Sequence, residues 1–155
     1  MTATSSVHPI HGESTDVDGY VEVAMGEDGS PDLSQPPTAR IELAMDSIAT
    51  GNALYDAELA RRTETRRYPR VIGELRGVSA RGDGHYQVSG DLTFHGVTKP
   101  IQTDMTVRIL DRKRLEAEWS QTIDIRDFDL NAPRILAFKV DPRVAVSVRV
   151  EGEAV

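Results

Sequence analysis

The feature that most constrains this chain is an alternation of apolar and polar residues with period two, sustained over several segments. In an extended chain successive side chains point to opposite faces, so alternation gathers the apolar residues of a segment on one side. Over residues 38–46, Ile41, Leu43 and Met45 share a face opposite Arg40 and Glu42. Over residues 99–110, Ile101, Met105, Val107 and Ile109 oppose Gln102, Asp104, Thr106 and Arg108. The final run sets Val144, Val146, Val148 and Val150 against Ala145, Ser147 and Arg149. Alternation this regular predicts antiparallel sheet with one face wet, because buried parallel strands read as continuous apolar runs.

Further strands are predicted at 17–25, 70–80, 85–94 and 112–125. Turn chemistry separates them: Gly26-Glu27-Asp28-Gly29-Ser30-Pro31, Arg81-Gly82-Asp83-Gly84 and the short polar Asp111-Arg112-Lys113. Many strands with turns between them imply a β-barrel or sandwich. One segment departs from the pattern. Residues 52–67 carry Leu54, Ala57 and Leu59 near helical spacing, which predicts one short helix ended by Tyr68-Pro69. Its end is rich in arginine (Arg61, Arg62, Arg66, Arg67, then Arg70), either a solvated face complementing the helix dipole or a site for an acidic head group or anionic membrane.

Length and composition narrow the function. The 155 residues suit a single domain over 1–155 with a sizeable core. The chain has no cysteine, which excludes disulfides, thiolate metal sites and cysteine nucleophiles. The net charge of −7 argues against nucleic acid as a partner, since phosphate binding rests on clustered positive charge. No apolar run approaches the roughly 20 residues that span a bilayer. The opening MTATSSVHPIHGESTD has neither the basic nor the apolar region of a secretory signal, and a cytoplasmic location is expected. His8 and His11 point to opposite faces of an extended segment, and Asp124, Asp127 and Asp129 lack the spacing and glycine of a calcium loop, so no metal site is expected.

The stretch Gly90-Asp91-Leu92-Thr93-Phe94-His95-Gly96-Val97-Thr98-Lys99-Pro100-Ile101 closely resembles the G-D-L-T-hydrophobic-H-G-V-T-K-P motif of the YceI-like family. Other segments agree in order. These are Ser6-Val7-His8-Pro9-Ile10-His11-Gly12, Val17-Asp18-Gly19, Ser47-Ile48-Ala49-Thr50-Gly51-Asn52 with Asp56 and Leu59, and Tyr68-Pro69. The resemblance covers nearly the whole chain. It implies an extended, lipocalin-like antiparallel barrel with one short helix, enclosing a tunnel for a polyisoprenoid or similar long-chain lipid.

Only five residues precede Ser6, where family members usually begin with another strand. A lacking first strand would leave an unpaired edge, and a second copy of the chain covering it predicts a homodimer. Aromatic residues are scarce (5%), so a cavity would be lined mostly by aliphatic groups, which suits a flexible isoprenoid or acyl chain. The expected lining is Leu43, Met45, Leu92, Phe94, Met105, Val107, Trp119 and Val146; the alternative is that these side chains simply fill the interior. His95 is expected to bond to backbone in a turn together with Thr98, and Asp91 and Lys99 to serve the hairpin. No nucleophile motif accompanies His95, so no catalytic residue is assigned. The reading is a carrier of a long-chain isoprenoid or acyl lipid, without cofactor or turnover. Its rivals are a filled barrel acting as a protein-interaction module and, more weakly, an enzyme using His95 with a nearby carboxylate.

Overall fold

A computed structural model of the chain describes residues 2–5, 9–11, 16–29, 31–111, 113–130, 134–135 and 138–153. His8 of the H-x-x-H pair, residues 6–8 and 12 of the opening motif segment, and Arg112 of the 111–113 turn lie outside the described residues. In chain order the strands are β1 (Thr2–Ser5), β2 (Pro9–His11), β3 (Val17–Glu22), β4 (Ala24–Met25), β5 (Pro31–Asp32) and β6 (Thr38–Ala44). A helix, α1 (Ala53–Arg62), follows. Then come β7 (Arg70–Gly82), β8 (His85–Phe94), β9 (Val97–Ile109), β10 (Arg114–Asp124), β11 (Arg134–Ile135) and β12 (Phe138–Glu153).

The antiparallel alternation is realised as one sheet in the order β2-β1-β12-β10-β9-β8-β7-β6-β3. The β11 strand folds back onto β12, and β4 and β5 form a separate hairpin. The sheet curls into a half-barrel, because inner-face residues of β3 and of β12 line one common cavity. With 13 residues in β7 and β9 and 16 in β12, strands at roughly 3.3 Å per residue make this an elongated barrel. Residues Thr2–Ser5 pair along β12, and the edges of the sheet are β2 and β3.

Two tight hairpins set the register. Asp83-Gly84 joins β7 to β8 with φ of 53° and 77°, and His95-Gly96 joins β8 to β9 with φ of 54° and 73°. Two consecutive left-handed residues make the type I′ turn, whose twist matches that of paired strands.

Several boundaries differ from the sequence expectation. The strand expected over 38–46 ends at Ala44, where the Met45 amide donates to the Pro69 carbonyl at 2.8 Å and the chain drops into a 3-10 turn. The strand expected over 17–25 breaks after Glu22, and that over 112–125 runs Arg114–Asp124. The helix expected over 52–67 runs only Ala53–Arg62. Asn52 caps its start, its Oδ1 accepting from the Leu54 and Tyr55 amides at 2.9 and 3.3 Å. It stops well before Tyr68-Pro69, with the Thr63 hydroxyl donating to the Leu59 carbonyl at 2.7 Å and Glu64 left-handed at φ 50°. Leu54 and Ala57 face solvent, Leu54 being 61% exposed. The inward face of α1 is instead Tyr55, Leu59 and Arg62, the i, i+4, i+7 stripe.

Candidate functional site

Strands that alternate must bury their apolar face against something. Here the inner face meets empty space. Among the described residues the buried apolar side chains are only Ala44, Met45, Ile48, Leu92, Ala117 and Phe128. The valines 144, 146, 148 and 150 of β12 and Met105 and Val107 of β9 are half-buried, although all point inward. They surround a cavity of about 1110 Å³. This slightly exceeds the roughly 300–1,000 Å³ of common ligand pockets.

All eight side chains expected to line a tunnel face this cavity. Leu43 comes from β6 and Met45 from the 3-10 turn after it. Leu92 and Phe94 come from β8, Met105 and Val107 from β9, Trp119 from β10 and Val146 from β12. The sequence reading missed other parts of the wall. Tyr55, Leu59 and Arg62 belong to it through α1, and Thr103 and Gln121 interrupt its apolar rows on β9 and β10. The signal for the last two was present as polar residues at inward positions, Thr103 between Ile101 and Met105 and Gln121 between Trp119 and Ile123.

One end of the barrel is fastened around His95. The β8–β9 turn holds the ring so that Nδ1 lies 3.0 Å from the Phe128 carbonyl and Nε2 lies 2.7 Å from Glu64 Oε2. A carbonyl oxygen only accepts, so Nδ1 is the donor of that bond. Tyr68 packs edge-on against the imidazole with ring centroids 4.9 Å apart. Phe94 meets the buried Phe128 ring at 5.6 Å. His95 therefore ties three segments together: the β8–β9 hairpin, the turn after α1, and the 3-10 turn Ile125–Phe128. The expectation that His95 bonds to backbone holds for Nδ1. Thr98 departs from it, since its hydroxyl pairs with that of Thr93 at 2.8 Å across the hairpin.

The remaining charged candidates are engaged elsewhere. Arg61 and Arg62 pair with Glu58 at 2.8 and 3.2 Å, and Arg70 lies 3.6 Å from Glu42. Arg67 lies 4.0 Å from Glu64 and stacks over Tyr68. The arginine-rich segment is thus largely matched by carboxylates. Asp91 pairs with Arg76 of the adjacent strand at 2.6 Å rather than within its own hairpin. Asp124 caps the turn that follows it and holds Arg126 at 2.5 Å, which brings its carboxyl down to about 2. On the outer face Glu116 is 5% exposed, covered by Arg149 at 2.6 Å and Arg108 at 3.1 Å, and the Arg149 hydrogen bond holds its carboxyl below the usual range.

Comparison with known proteins adds the family. A UPF0312 protein of Pseudomonas putida is 27% identical over 146 residues, 88% of this chain and 72% of that protein. One of Pseudomonas savastanoi is 29% identical over 133 residues, 80% of this chain and 65% of its own length, so the match spans just under two thirds of that relative. Among solved structures, Burkholderia cenocepacia BcnA superposes with a TM-score of 0.80 at 16% identity, covering 97% of this chain and 94% of its own. A polyisoprenoid binding domain from Saccharophagus degradans gives 0.78 at 18% identity, covering 99% and 91%. These likenesses establish a shared fold. The YceI-like domain model matches residues 1–152, and the chain is a member of the YceI-like family.

Proposed function

We propose that this protein binds a long apolar molecule, of polyisoprenoid or fatty-acyl type, within the barrel and carries or sequesters it without turnover. The observation that carries this reading is the hollow interior: aliphatic side chains at inward positions stay half exposed around about 1110 Å³ instead of filling it. At roughly 30 Å³ per water-sized group, such a space has room for on the order of 35 methylene-sized groups. Each buried CH₂ adds about 0.8 kcal/mol, so a long tail binds firmly through apolar area alone. The Saccharophagus degradans neighbour's description as a polyisoprenoid binding domain supports the ligand class. A binding role without chemistry is supported by His95, whose two ring nitrogens are both taken up by groups that fasten the barrel end.

Native mass spectrometry of the purified protein, followed by organic extraction, tests the reading. A stoichiometric adduct that extracts as a prenyl or acyl compound is expected. A bare mass, unchanged after incubation with prenyl and fatty-acyl lipids, would overturn it in favour of an interaction module. The same spectrum reads the oligomeric state, for which the edge strand β3, with Tyr20 and Val21 exposed, is the proposed pairing surface in a homodimer.

A further inference from the structure

Along its strands the cavity wall is largely apolar, and two uncharged polar residues, Thr103 and Gln121, interrupt its inward rows on β9 and β10. On β10 the inward residues Trp119 and Ile123 flank Gln121, which pairs in register with Val146 of β12. The ladder between β9 and β10 runs from Leu115–Ile109 to Trp119–Met105 and ends there. The next link is a side chain: Thr103 Oγ1 donates to the Ser120 carbonyl at 3.2 Å. Gln121 follows at the point where the backbone ladder has stopped. Its carboxamide, with two donor hydrogens and an acceptor oxygen, makes no hydrogen bond to any described residue, and neither does the Trp119 indole N–H.

Filling the cavity with pure hydrocarbon would strip water from these groups and leave them unpaired, which opposes binding. A chain bearing an oxygen at that depth would pair with them instead. We propose that Gln121 and Trp119 form a hydrogen-bonding subsite within the apolar cavity, selecting long chains that carry a neutral carbonyl or hydroxyl oxygen over bare hydrocarbons. The subsite rests on the cavity being a ligand-binding one.

The test compares pentadecane with 8-pentadecanone, titrated into the wild-type chain and into Gln121→Leu, with the emission of the single tryptophan, Trp119, as readout. The ratio of the two dissociation constants cancels most of the difference in chain hydrophobicity. That ratio should shift by about tenfold against the ketone in Gln121→Leu, the size of one hydrogen bond made or left unmade in an apolar site. Gln121→Met provides the same comparison should the leucine variant fail to fold. An unchanged ratio with both probes bound overturns the subsite and leaves the carrier reading standing. Failure of wild type to bind either probe overturns both.

Discussion

Replacing Gly96 with alanine tests how the His95 end of the barrel is held, and the structure allows its cost to be divided in two. Gly96 has φ of 73°, where a Cβ costs about 1–2 kcal/mol. A Cβ there would also lie 2.5 Å from Tyr68 Cε1. The Tyr68 ring has little freedom to yield, since His95 meets it edge-on and Arg67 lies over it at 5.1 Å. Crowding of that kind costs a further 1–3 kcal/mol or so. Gly51 supplies the control, with φ of 81° and no atom within 4 Å of the position of a Cβ. Gly51→Ala should therefore lose only the backbone contribution, about 1–2 kcal/mol, whereas Gly96→Ala should lose about 2–5 kcal/mol. For a domain of this size the latter lowers Tm by roughly 5–15 °C. Urea unfolding followed by Trp119 emission measures both, and a cycle with Tyr68→Ala isolates the contact: removing the ring should return about 1–3 kcal/mol of the Gly96→Ala loss. Equal losses at Gly96 and Gly51, or strict additivity with Tyr68→Ala, would refute the wedge.

Two more outcomes follow from the wall and from the outer face. Val146→Phe places a ring in the cavity beside Gln121 and should displace about three methylenes of a long ligand, costing about 2 kcal/mol, or roughly thirtyfold in Kd for a fatty-acyl probe; a circular-dichroism melt close to wild type shows that the fold is kept, and unchanged affinity would place the ligand elsewhere. Glu116 is held below its ordinary pKa by Arg149 and Arg108, so its stabilising contribution is complete above the unfolded carboxyl pKa near 4.3 and is lost as pH falls through the lower folded value. Unfolding free energy measured from pH 6 to pH 3 should therefore fall less steeply below about pH 4.5 in Glu116→Gln than in wild type, and parallel curves would show that the pair contributes nothing there.

How far the fold was legible depended on whether neighbours in sequence settle each point. The inward rows of β6, β9 and β12 are local, since Leu43, Met105 and Val146 follow from period two alone. The helix face was misjudged because Leu54 is apolar yet sits in the first turn, where it faces water, while the half-polar Tyr55 turns inward. Whether the barrel is hollow rests on how far the sheet curls, a sum over many strand pairs that no single segment encodes. The His95 clamp joins residues 31 and 33 positions apart, Glu64 and Phe128, and nothing in the local pattern announces them. Glu116 reads as an ordinary solvent-facing carboxylate until Arg149, arriving from β12, covers it.

Where no second copy covers it, the edge of the sheet at β3 has a kinetic consequence for the proposed cargo. Among the described residues β3 pairs only with β6, and its inward valines Val17 and Val21 are 39% and 49% exposed. A cylinder latched all round by amide ladders must be threaded from its mouth, tip first, and threading slows as the guest lengthens. A slotted conduit is different: its guest is laid in broadside, with no ladder to unzip and no penalty that grows with contour length. Exchange of the cargo would then be timed by the parting of side chains along the slot, while the length of the cargo would govern how long it stays.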